Sequence, residues 1–227
     1  MVNSSTSEHL DGASGSSSTR DRFLQAAVDL FLREGFGPVG LDRIIDKVGV
    51  TKTTFYKYFE SKDDLIVKAL EFQHVQEMDG LERDTRQIAG EDPRGQILAI
   101  FDVLHEWFSQ TEFRGCIFLN AATEFPMSTD PIHVAAISHG QELARFVSLR
   151  ATAAGAREDA AGMIASQVML LISGAIISRQ TARQVDVALN AKPLVEMILD
   201  NALADNGSGS GATTERQSSR KRAAGRS

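Results

Sequence analysis

The chain has 227 residues, of which 42% are apolar, enough for one large domain or two small ones with an ordinary core. Its formal net charge of −6 excludes a uniformly basic nucleic-acid coat, so any contact with DNA must rest on a local patch. The single cysteine, Cys116, excludes an intrachain disulfide and an all-cysteine metal site.

Residues 1–18 are rich in Ser, Gly and Thr, with too little apolar content to offset chain entropy, and are expected to be a disordered tail. Helical periodicity follows. Phe23, Ala26, Ala27, Leu30 and Phe31 mark one face of a first helix. Ser18 with Asp21 opens it and Gly35 stops it. Leu41, Ile44, Ile45 and Val48 form a short amphipathic helix that Gly49 ends. Thr51 caps a third helix predicted over 52–59. Ser61 with Asp64 opens a long fourth helix through Leu65, Ala69 and Phe72 and past Leu81. Asp92 before Pro93 starts a fifth, carrying Ile97, Ile100, Phe101, Leu104 and Phe108. Further helices are expected over 115–125, 131–154, 158–179 and 186–204. Pro193 either kinks the last of these or marks its first turn. No run of period-two alternation is long enough for a strand, so the chain reads as all-α.

No apolar run reaches the roughly 18–20 residues of a membrane span. The nearest, 163–177, is interrupted by Ser166, Gln167 and Ser173. Neither a basic residue before Arg20 nor an apolar stretch suggests a signal peptide. A cytoplasmic protein with no membrane partner is expected. After Asp205 the chain turns to Gly and Ser and then to Arg216, Arg220, Lys221, Arg222 and Arg226. We expect residues 205–227 to be a disordered basic tail: a solvated end, or an arm adding sequence-independent affinity for DNA phosphates.

The pair of helices around Gly49 has the pattern of a helix-turn-helix, whose second helix lies in the DNA major groove. Leu41, Ile44, Ile45, Val48, Val50 and Phe55 pack the two together, and Gly49 supplies the positive-φ turn. Lys47, Lys52, Lys57 and Lys62 against Glu60 leave this stretch at about +3 within an acidic chain. Thr51, Thr53, Thr54, Tyr56 and Tyr58 add hydroxyls for phosphate oxygens or base edges.

From Gly35-Phe36 through Val48-Gly49-Val50-Thr51-Lys52-Thr53-Thr54-Phe55-Tyr56-Lys57-Tyr58-Phe59-Glu60-Ser61-Lys62 to Leu65, the sequence resembles the DNA-binding domain of the TetR family of bacterial transcription regulators. That resemblance implies an all-helical fold with an N-terminal DNA-binding domain (19–65) and a C-terminal ligand-binding and dimerisation domain (66–204). It implies a homodimer on a palindromic operator in double-stranded DNA, released by a small ligand. It makes Lys52 and Thr53 base readers, and Thr51, Tyr56, Tyr58 and Lys62 phosphate contacts, with Lys57 able to do either and Thr54 beside them. Two positions depart from the family pattern. Gly40 stands where a Ser or Thr is usual before the second helix, which loses a phosphate-binding hydroxyl and weakens the cap. Ile45 and Val48 are bulkier than usual.

The remaining residues suggest a sensor and an interface. Phe101, Leu104, His105, Trp107 and Phe108, then Phe113, Cys116, Ile117, Phe118, Phe125 and Met127, then His133, form an aromatic set of which any one residue can be plain core and several are expected to line a cavity for a small apolar or aromatic ligand. Ile164, Val168, Leu171, Ile172 and Ala175 on one helix, with Leu194, Val195 and Ile198 on the next, either close the monomer core or, as the family layout favours, form a four-helix interface with a symmetry mate. Cys116, beside Arg114 at a helix start, has the setting of a thiolate, although a lone cytosolic Cys is usually a small buried hydrophobe. His105, His133, His139, Glu106 and Glu124 lack metal-ligand spacing, so neither metal nor cofactor is expected. An enzyme built on Cys116 with His105 or His133 lacks a placeable base and oxyanion donor. The reading is a ligand-responsive transcriptional regulator, a repressor more than an activator. The alternative is a DNA binder of chromosome organisation or cell division on the same scaffold.

Overall fold

The computed structural model of the protein describes residues 18–208, all helix, turn and loop. Among the described residues nine helices run in order: α1 (Thr19–Glu34), α2 (Leu41–Val48), α3 (Lys52–Phe55), α4 (Lys62–Ala89), α5 (Pro93–Ser109), α6 (Ile117–Glu124), α7 (Pro131–Ala153), α8 (Glu158–Ala182) and α9 (Val187–Ser208). The expected 1–18 tail therefore lies outside the described residues except for Ser18.

The local start signals work as capping chemistry requires. Ser18 accepts the amide of Asp21 at 3.1 Å, Thr51 that of Thr54 at 3.2 Å and Ser61 that of Asp64 at 3.0 Å. Asp92 and Asp130 cap α5 and α7 ahead of prolines in their first turns, where the missing N–H costs nothing. Gly49 ends α2 at φ 74°, in the left-handed region, which a residue without Cβ enters freely. Gly40 offers α2 no side-chain cap, as its lack of a hydroxyl dictates.

Several boundaries differ from expectation. The third helix stops at Phe55, and residues 56–58 close as tight turns in which the amides of Tyr58 and Phe59 share the Phe55 carbonyl. This lets Phe55 and Phe59 stack at 5.4 Å, both edge-on to Phe23. The sixth helix starts at Ile117, because Gly115 sits at φ 88°. Pro193 lies inside α9, whose helix continues through it, so it is not a first-turn residue. That helix also runs to Ser208, which shortens the expected 205–227 tail. The rest of that tail lies outside the described residues.

Phe23, Phe31, Phe36, Ile44, Phe55, Phe59 and Leu65 are fully buried and weld α1–α3 to the start of α4. The long α4 then leaves this unit and packs on α5 and α7, giving one rigid element shared by both halves. Helix α8 packs between α7 and α9, and α6 lies on α7 while touching α1. By length and mean hydropathy (1.9), α8 matches a membrane span, contrary to the sequence reading. It nevertheless buries Ile164, Val168, Ile172 and Ile176 in the protein core, the behaviour of a core helix.

Candidate DNA-binding and ligand sites

The helix-turn-helix presents its polar residues outward. Thr51, Lys52, Thr53 and Lys57 are exposed, as are Tyr56 and Tyr58, while Phe55 and Phe59 hold the helix from behind. The hydroxyls of Thr51 and Thr54 pair with each other at 2.9 Å, so only one of the two protons is free for a phosphate. Lys52 reaches Asp42 at 3.1 Å and Lys47 reaches Asp29 at 3.3 Å. Both pairs are solvent-exposed, and such pairs hold weakly and yield to a competing phosphate. The Lys57 side chain makes no hydrogen bond or ion pair among the described residues, its backbone N–H alone donating to the Thr54 carbonyl.

Lys62 is placed differently from the expectation. Its ammonium donates to the carbonyl of Phe36 at 2.5 Å, partly buried, so it braces the α1–α2 turn before it can serve DNA. The same turn is held from the other side. Phe36 and Gly37 donate their backbone N–H groups to the two carboxylate oxygens of Glu124, at 3.2 and 2.5 Å, and Phe125 packs edge-on to Phe36 at 5.6 Å. A Cβ on Gly37 would come within 3.1 Å of that carboxylate. Glu124, the last residue of α6, thus clasps the DNA-binding unit to the C-terminal half. The clasp joins residues 87 positions apart, and no local pattern announces it.

At its other end α6 borders a cavity of about 330 Å³ between α4, α5, α7 and α8. Leu104, Trp107 and Cys116 line it. Phe118 lines an adjoining hollow and stacks on His139 at 3.7 Å with rings 4° apart. His105 faces an outer hollow with Trp107, its Nδ1 3.3 Å from the Val185 carbonyl. Four expected lining residues are corrected. Phe101 and Phe108 are fully buried in the core. Phe125 covers Phe36 instead, and His133 Nδ1 sits 2.7 Å from the Phe125 carbonyl. Each faces the seam or the core because helical spacing fixes a face, not which neighbour covers it.

The sequence reading missed the polar floor of the cavity. His139 and His74 meet Nδ1 to Nδ1 at 3.1 Å. Gln73 donates to Glu77 Oε1 at 2.9 Å, and Glu77 Oε2 lies 3.7 Å from His139 Nε2. Burial, with His74 adding to it, pushes the His139 imidazole down to about 4, so it is neutral near pH 7. Burial likewise raises the Glu77 carboxyl above its ordinary value. Of the two settings open to Cys116, the structure has the small buried hydrophobe and not the thiolate. Its thiol is buried and pushed up to about 12, by desolvation first and by the nearby Glu77 second. Arg114 donates instead to Thr111, Phe113 and Glu112, so Cys116 is a thiol and not a thiolate. The imagined metal ligands are scattered: Glu124 is in the clasp, His133 lies against the Phe125 carbonyl and His139 against His74. Among the described residues, no group of three His, Cys, Asp or Glu has metal-holding geometry.

On the outer surface, α8 and α9 expose Met163, Leu170, Ile177, Leu194 and Met197. Of the residues expected at an interface, Ile164, Val168, Ile172, Ala175 and Val195 are buried within the protomer itself. Only Leu171, Leu194 and Ile198 border the open groove, with Leu170 and Met197. Apolar residues lie on both the inward and the outward face of each helix, so the expected set mixes the two faces.

The sequence profile of the bacterial regulatory proteins of the tetR family matches residues 23–69, the segment that builds the helix-turn-helix and its junction with α4. The chain belongs to the TetR family. The HTH-type transcriptional regulator LmrA of Bacillus subtilis is 27% identical over 185 residues, 79% of this chain and 92% of LmrA. Another Bacillus subtilis regulator, YerO, is 27% identical over 75 residues, 33% of this chain and 26% of YerO, so the match spans about a quarter of that relative. The crystal structure of SCO4454, a TetR-family transcriptional regulator from Streptomyces coelicolor, superposes with a TM-score of 0.70 at 28% identity, covering 82% of this chain and 96% of that one. The chain is accordingly a TetR-family helix-turn-helix transcriptional regulator and not an enzyme.

Proposed function

We propose that this TetR-family regulator is a cytoplasmic homodimeric repressor. It holds a palindromic operator through Lys52 and Thr53 on base edges and through Thr51, Thr54, Tyr56, Lys57 and Tyr58 on the backbone. A small apolar or aromatic molecule in the α4–α8 cavity releases it. The observation that carries this reading is the position of α6. Its first turn and N-cap, with Cys116 and Phe118, border the cavity, and its last residue, Glu124, grips the α1–α2 turn. A ligand that displaces α6 therefore strains the clasp, and one that displaces α4 moves Lys62 off Phe36. Either change alters the separation of the two recognition helices, which on B-DNA is about 34–36 Å or a multiple. Ligand and operator then bind with reciprocal negative coupling.

The α8–α9 surface supports dimerisation. Exposed Met163, Leu170, Leu194 and Met197 form the kind of apolar face that marks an association site, and two half-sites supply affinity that one four-residue helix lacks. Repression needs only that the dimer cover a promoter. The test is to titrate a bound operator fragment with cavity-sized aromatic compounds and follow DNA release by fluorescence anisotropy. Compounds that bind the protein are expected to weaken operator binding. A compound shown to occupy the cavity with operator affinity unchanged would overturn the release mechanism.

A further inference from the structure

The cavity wall carries a charge pattern that an apolar-ligand reading does not use. Glu77 enters it from α4, with one carboxylate oxygen bonded to Gln73 and the other making no hydrogen bond among the described residues. Asp84 lines the same cavity one to two turns further along α4, held by the neighbouring Arg83 at 2.9 Å. The adjoining outer hollow shares Asp84 and Trp107 and adds Glu106 and Asp102, the latter paired with Lys192 at 2.6 Å. No lysine or arginine lines either space. The remaining ionisable groups facing Glu77 are His139 on α7, neutral near pH 7, its partner His74, and the protonated Cys116 at the α6 cap. The Glu77 carboxylate thus offers acceptor charge with no lysine or arginine paired to it among the described residues, in a cavity that Trp107 also lines.

We propose that the cavity selects a positively charged aromatic or apolar amine, with Glu77 Oε2 as its counter-ion and Trp107 as the ring it lies against. This rests on the ligand-pocket reading above and names the ligand's class. A partly buried carboxylate gains when a cation pairs with it, and an ammonium over an indole adds cation–π attraction. An anion would meet Glu77 with no paired lysine or arginine to offset its repulsion. A neutral ligand would leave the carboxylate uncompensated.

Trp107 is the chain's single tryptophan and lies in the cavity wall, so its fluorescence reports occupancy directly. The experiment uses three compounds of one shape on the full-length protein: para-tert-butylbenzylamine, para-tert-butylbenzyl alcohol and para-tert-butylbenzoate. The amine is expected to perturb Trp107 with an affinity at least about tenfold above the alcohol, the scale of one charge-assisted hydrogen bond. Benzoate is expected to be weakest. In Glu77→Gln the preference of amine over alcohol should vanish while the alcohol's affinity holds. If that variant does not fold, the wild-type ranking stands as the test alone, with Asp84→Asn as a second variant expected to reduce the preference in part. Alcohol or benzoate binding as tightly as the amine would overturn the cation assignment and leave the pocket reading intact. No response to any of the three would overturn both.

Discussion

Gly40 leaves α2 without a side-chain cap, and a Cβ built there meets nothing within 4 Å. Its φ of −77° and ψ of 153° suit any residue. Gly40→Ser is therefore expected to stabilise the protein by a few tenths of a kcal/mol, roughly the difference between glycine and serine caps, and to tighten operator binding. A melt and an anisotropy titration check both. Lys57→Ala should weaken all DNA sequences alike and lower the salt slope by about 1, whereas Thr53→Ala should shift sequence preference. The reverse assignment in a salt series would show the contacts are sorted wrongly. Cys116 gives a pH prediction. Its thiol keeps its proton in the folded chain up to about 12, against an ordinary 9. Between those values the unfolded chain holds fewer protons, so stability falls as pH rises, by about 1.4 kcal/mol per unit. Denaturant melts across that range should show the slope in the wild type and not in Cys116→Ala. At this scale, Thr51 and Ser61 were legible because a cap is satisfied within three residues. Glu77 with His139, and Lys62 with Phe36, were not, because each pair is made by folding.

Helix α6 is eight residues long and links two sites through its ends. Glu124→Gln keeps one acceptor oxygen but loses the charge that holds the Phe36 and Gly37 amides, and charge-assisted bonds are roughly twice as strong as neutral ones. The variant is expected to keep its fold and bind the same cavity ligands while the ligand's effect on operator affinity shrinks several-fold. Unchanged coupling in that variant would place the transmission elsewhere, in α4. Most of the helices were readable from period and caps. The errors fell where tertiary closure overrules local pattern. Phe59 is drawn onto Phe23 and Phe55 and ends α3 early, and Gly115 delays α6. Arg183, in the left-handed region at the end of α8 (φ 57°), carries no cue that a sequence of glycine stops would reveal.

For the whole molecule, the decisive feature is how an acidic chain concentrates DNA contacts on one small unit and an apolar surface on another. Leu170 is 74% exposed and Met197 60%, an unusual cost for a lone protomer. Leu170→Glu is expected to shift the protein to monomer in sedimentation velocity and to cut operator affinity by orders of magnitude, while leaving α1–α3 folded. A dimer undisturbed by that change would move the interface off α8 and α9. The sequence showed both last helices to be rich in apolar residues but mixed buried Ile164 and Val168 with outward Leu171 and Leu194, since apolar residues on two faces leave little amphipathic signal to orient a helix. The central claim is sequence-specific control of transcription, and its most direct test is capture of fragmented genomic DNA by the purified protein, followed by sequencing. A few sites sharing a palindrome beside promoters is the predicted result. Hundreds of dispersed sites, as a chromosome-organising protein would give, or no enrichment at moderate salt, would contradict it.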